Sequence, residues 1–127
     1  MKKFLLIFLL ASNSASAEWV RYGESDDRIM FGDLDNVFVK DNFRRVWTVT
    51  NKKQRALNGS LSERVFYEFD CDEQRIRGIH FSVWSEQWAK GENLAIKGMN
   101  DLPGKWRYIP PEAGAARSIF TLACAKK

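Results

Sequence analysis

Cys71 and Cys124 are the only cysteines in a chain of 127 residues, and the first 17 positions decide what they mean. Lys2 and Lys3 give a positive start, Phe4–Leu10 is an unbroken apolar run, and Ala15-Ser16-Ala17 puts small residues at both cleavage-determining positions. This is the three-part layout of a secretory signal peptide, with cleavage expected before Glu18. A membrane anchor would need roughly 20 apolar residues, and Ser12, Asn13 and Ser14 interrupt this run. The residue directly after the cleavage site is Glu18 and not a cysteine, so no lipid anchor is expected, nor is a transmembrane span further on. Export favours joining the two cysteines. The bridge would close a loop of roughly 54 residues, worth about 4 kcal/mol by the chain-entropy estimate. There is no C-x-x-C, and neither cysteine lies near His80 in sequence. A reactive or metal-binding thiol is therefore the weaker reading.

Residues 18–127 read as a single domain in which alternation comes first and helical spacing last. Short β-strands are expected at Glu18–Tyr22, Arg28–Phe31 and Val37–Lys40, the last two separated by the turn-rich Gly32–Asn36. Arg44–Thr50 is β-branched and aromatic, with Val46, Thr48 and Thr50 on one side and Trp47 and Val49 on the other. The polar stretch Asn51–Ser60 carries its strongest turn signal at Asn58-Gly59. In Ser62–Cys71, Val65, Tyr67, Phe69 and Cys71 share one face, opposite Arg64, Phe66, Glu68 and Asp70. Arg75–Ser85 alternates as well, and Gly78 in its middle suggests a bulge or close backbone approach. Ala95–Lys97 and Lys105–Ile109 are expected as short edge strands around Pro103-Gly104. After Pro110-Pro111 the period changes. Ala116, Ile119, Phe120, Ala123 and Cys124 form one stripe of an amphipathic helix, so the bridge would staple helix to strand. The class is α+β, mainly antiparallel sheet with a C-terminal helix.

Composition and chemistry exclude more than they assert. The net charge is +4, and two of those charges lie in the leader, so nothing favours nucleic acid as a partner. His80 is the only histidine; a Ser–His–Asp arrangement would have to use it beside Ser82 or Ser85, and an ordinary strand histidine is the simpler reading. Asp33–Asn36 lacks the glycine and distal glutamate of an EF-hand and reads as an acidic turn. His80, Met30, Met99 and the tyrosines are residue types that can ligate haem iron, but their spacing does not point to haem and C-x-x-C-H is absent. No enzyme, cofactor or metal site is expected.

Two features carry a binding reading. Lys52, Lys53 and Arg55 fall in the expected loop after the Trp47 strand, where they would either meet an acidic partner or simply be solvated. Trp84 and Trp88 flank polar residues near a strand end, as partner anchors or as packing residues.

Several segments, in order, resemble the surface-adhesin protein E family. Phe69-Asp70-Cys71 followed by Arg75 and Arg77 is similar to a characteristic family segment. Arg45-Val46-Trp47 with Thr48–Asn51 resembles the tryptophan-bearing strand before it. Trp106, Ile109-Pro110-Pro111 and the closing stretch with Cys124 resemble the family's ending. The resemblance spans most of Glu18–Cys124. It implies a six-stranded antiparallel sheet carrying the C-terminal helix, one disulfide, and an exported protein that binds host glycoproteins such as laminin and vitronectin. The family's namesake is displayed as a lipoprotein, and this chain lacks the lipidation cysteine, so surface display does not carry over with the rest. The alternative expectation is a soluble periplasmic structural or inhibitor-like protein that binds another envelope component.

Overall fold

The computed structural model describes residues 18–94 and 102–127. Among these residues eight strands make one antiparallel sheet: β1 (Trp19–Glu24), β2 (Arg28–Asp33), β3 (Phe38–Lys40), β4 (Phe43–Lys52), β5 (Ser62–Asp70), β6 (Arg75–Trp84), β7 (Asn93–Leu94) and β8 (Arg107–Tyr108). Their main order is β1-β2-β4-β5-β6-β7, with β3 also beside β4 and β8 also beside β6. One helix, α1 (Ala115–Cys124), closes the chain. The fold class, the helix stripe and the disulfide are as expected. Cys71 and Cys124 are bonded, tying the end of β5 to the last residue of α1.

Several boundaries moved. Val37 is outside the strand, because Leu34–Asn36 forms a single 3-10 turn, with Asn36 Nδ2 donating to both Asp33 carboxylate oxygens. That bonding spends the acidic turn internally. β4 runs on to Lys52, one register position beyond Asn51, because Arg28 of β2 still pairs with it. The expected edge strand at Lys105–Ile109 shrinks to Arg107–Tyr108, and Ala95–Lys97 lies outside the described residues.

One face of the sheet carries the core. Val46, Phe69 and Ile76 on neighbouring strands meet Ile119, Phe120 and Ala123 of α1, with Leu34 and Ile109 filling the sides. Phe69 is fully buried, its ring 6.1 Å from that of Phe120; burial of this kind contributes about 1.5–3 kcal/mol per large side chain. The helix can sit low because the strands beneath it carry glycine. A Cβ on Gly23 would lie 2.6 Å from the Ala115 Cβ, and one on Gly32 2.8 Å from the Ile119 Cδ1.

Between β5 and β6 the register slips by one residue. Phe66 pairs with His80, but Tyr67 pairs with Gly78, leaving Ile79 as the extra residue of a β-bulge. A one-residue insertion exchanges the faces of everything beyond it. His80, Ser82 and Trp84 therefore share a face with Arg75 and Arg77, not with Ile76.

Candidate functional site

The sheet face away from α1 holds the candidate site, built as rows across β4, β5 and β6. Strand register sets Phe43, Asp70 and Arg75 in one row, Arg45, Glu68 and Arg77 in the next, and Trp47, Phe66 and His80 in the third. Directly opposed residues on one face are close enough to bond or stack. In the middle row Arg45 Nε donates to Glu68 Oε2 at 2.7 Å, and Arg77 Nε donates to Glu68 Oε1 at 2.8 Å. In the outer row Arg75 donates to Asp70 Oδ2 at 2.7 Å. The Trp47 and Phe66 rings stack 4.4 Å apart, with the Arg64 guanidinium 4.0 Å from the Trp47 centroid. Such a cation over an indole face is attracted by the ring quadrupole.

Residues outside the three strands turn this face into a groove of about 780 Å³. Phe38 of β3 meets Phe66 edge-on at 5.9 Å along one side. Trp106, from the segment before β8, lies 6.0 Å from Phe43 and receives Arg77 at 4.4 Å and Arg75 at 5.1 Å. Lys40 and Asp41 line the groove beside them. Phe38, Val39 and Phe43 keep 58%, 43% and 37% of their surface exposed, an apolar concentration that marks interaction sites more often than idle surface.

Three guanidinium groups meet two carboxylates here, so the groove floor keeps a surplus positive charge. Burial pushes the Glu68 carboxyl up, but hydrogen bonds from Arg45 and Arg77 outweigh it and hold the group below the usual carboxylate range. Asp70 behaves alike: burial raises it, while Arg75 and the backbone N–H of Glu73 bring it lower overall. Both acids are thus ionised and fully engaged, as a buried charge must be to avoid a cost of several kcal/mol. The cations are less engaged. The terminal Nη atoms of Arg45 enter no hydrogen bond among the described residues, and its side chain is 48% exposed. Arg75 Nε is the one buried side-chain polar atom without a partner among the described residues.

None of the residues singled out for binding in the sequence lines this groove. Lys52 is a strand residue, not a loop residue. It is buried, donating to Ser60 Oγ at 2.6 Å and facing Glu63 at 3.3 Å. Lys53 reaches across to Glu24 at 2.9 Å, and Arg55 bonds the carbonyls of Gly59 and Ser85. The three cations do not form one free patch, because each has a different protein partner. Trp84 is half-buried, its indole N–H on Ser82 Oγ. Trp88 sits apart from it against Phe31 and Trp19, with centroids at 4.6 and 6.3 Å, in a left-handed backbone held by Asn51. His80 is exposed and edges onto Trp47, and Ser82 is committed to Trp84, so the two share no hydrogen bond. Among the described residues no acidic, histidine and cysteine cluster could hold a metal ion, and no helix is long and apolar enough to cross a membrane.

The sequence did contain a signal for the groove. Phe66, Glu68 and Asp70 are large or charged groups on the strand face opposite Val65, Tyr67 and Phe69, and arginines flank that strand in sequence on both sides.

The family model for surface-adhesin protein E matches residues 19–125. The chain belongs to that family. The solved structures most like it include protein E from Haemophilus influenzae. Its second crystal form matches with a TM-score of 0.70 at 13% identity, covering 87% of this chain and 89% of that one. A selenomethionine form matches at 0.69 and 15% identity, covering 87% and 88%, and protein E of the non-typeable bacterium at 0.61 and 14%, covering 89% and 79%. At such identities the likeness establishes the shared fold. No curated protein matches the chain.

Proposed function

We propose that this chain is an exported, non-enzymatic adhesin-like protein that docks a protein partner on the sheet face opposite α1. The observation that carries the reading is the groove itself: exposed phenylalanines and Trp106 beside arginines with unspent donors, in a member of a surface-adhesin family. Aromatic and arginine side chains in a concave, partly desolvated patch are the usual composition of a protein-binding hot spot. Laminin and vitronectin are the first partners to test. Lys53, Arg55 and Trp88, which is 39% exposed, are candidate rim contacts beyond the groove.

Two measurements test this. Protease treatment of intact cells should remove the protein if it is displayed; full protection would favour the periplasmic reading, with another envelope component as partner. Purified protein should bind immobilised laminin or vitronectin, and Phe38→Ser should weaken that binding. An absence of binding to both glycoproteins at low salt, where charge attraction is least screened, would sink the host-matrix reading.

A further inference from the structure

Deepening the proposed function and resting on it, we infer that the groove takes an extended polypeptide segment whose groove-facing side chains, every second residue, include both carboxylate and apolar groups. The chemistry of the walls selects the charge. Glu68 and Asp70 are consumed by Arg45, Arg77 and Arg75, so among the described residues Asp41 is the one lining acid outside these pairs and the groove offers a ligand mainly cationic donors and ring faces. A ligand rich in hydroxyls needs both donors and acceptors around it. A carboxylate needs donors only, and the Nη atoms of Arg45 supply them at the groove surface.

The backbone selects the polymer. β3 pairs with β4 on one side only, and its other edge is unpaired among the described residues. All three of its residues are exposed and line the groove. An open strand edge offers N–H and C=O groups at the repeat of another extended chain, the geometry of strand addition. A strand laid there turns every second side chain toward the groove, so apolar groups among those positions meet Phe38 and Phe43 while carboxylates among them reach toward Arg45, the β4 partner of Phe38.

The five tryptophans make the test spatially resolved, because Trp47 and Trp106 line the groove while Trp19, Trp84 and Trp88 do not. The protein, labelled with nitrogen-15, is titrated with a blocked octapeptide in which leucine and glutamate take turns at every second position with serine between them, followed through the five indole N–H signals. Trp47 and Trp106 should shift and the other three stay. Replacing every glutamate in the peptide by glutamine should weaken binding about tenfold or more, the usual size of a lost charge-assisted contact. Arg45→Gln should do the same to the acidic peptide, and its unchanged spectrum elsewhere would verify the fold. The inference is overturned if the acidic peptide fails to shift Trp47 and Trp106 up to millimolar concentration, or if the glutamine peptide binds equally well. A heparin-derived octasaccharide that shifts the same two signals at lower concentration than the peptide would also overturn it, in favour of a glycan. These failures are separable from failure of the adhesin reading. Laminin or vitronectin binding that survives Arg45→Gln would keep that reading while removing this one.

Discussion

Removing the Cys71–Cys124 bridge, by Cys71→Ala with Cys124→Ala, should be among the most costly changes that leave the hydrophobic core intact. The bond joins residues 53 positions apart. For a loop of that length the chain-entropy relation gives about 14 cal/mol/K, or about 4 kcal/mol at 25 °C. Both half-cystines are only partly buried, and Cys124 lies beside the cluster of Phe69, Ile119 and Ala123 without being part of it, so the alanines add little cavity cost. A domain of roughly 110 residues unfolds with an entropy of about 0.23 kcal/mol/K, so the midpoint should fall by roughly 15–20 °C. Urea unfolding should also steepen, because an uncrosslinked denatured chain exposes more surface. The assay is paired thermal and urea unfolding of wild type, wild type under reductant, and the double variant, with thiol labelling of denatured wild type finding none free. A midpoint drop below about 5 °C would mean that the bridge removes little denatured-state freedom, and the reasoning would be wrong.

Lys52→Glu and Lys53→Glu separate a structural lysine from a surface one. The first puts a carboxylate beside Glu63 at a position only 8% exposed and should cost about 3–5 kcal/mol in urea unfolding, whereas the exposed Lys53–Glu24 pair should cost under about 1. Acid stability should depend on Glu68 and Asp70, whose folded-state values are depressed. Their contribution is complete above the unfolded carboxylate range, that is above about pH 5, and is lost as pH falls through the folded values. Glu68→Gln should therefore flatten the fall in stability below pH 5, and an unchanged slope would show that the Arg45–Glu68–Arg77 row does not couple to folding.

Local pattern made much of this protein legible. Alternation in Ser62–Cys71 put Val65, Tyr67 and Phe69 on the core face because side chains on a strand have a period of two. The stripe from Ala116 to Cys124 fixed the helix and the side it buries, since its apolar positions recur every three to four residues. Together with an even cysteine count, these placed both ends of the disulfide. Sequence pattern alone puts Lys52 in a loop because nothing in its neighbours tells the last residue of a strand from the first of a loop; the partners that bury it, Ser60 and Glu63, become adjacent only when β4 pairs with β5. The groove is the clearer case. Uninterrupted alternation from His80 back along β6 would carry Arg75 and Arg77 to the core side with Ile79. The bulge at Ile79 reverses them. Gly78 signals a bulge or a close backbone approach without deciding between them; that choice depends on how two strands align along their length, with Phe66 on His80 and Tyr67 on Gly78. The residue types were present in the sequence, but only the register between β5 and β6 put Arg77 on Glu68 and made an arginine floor beneath Trp106.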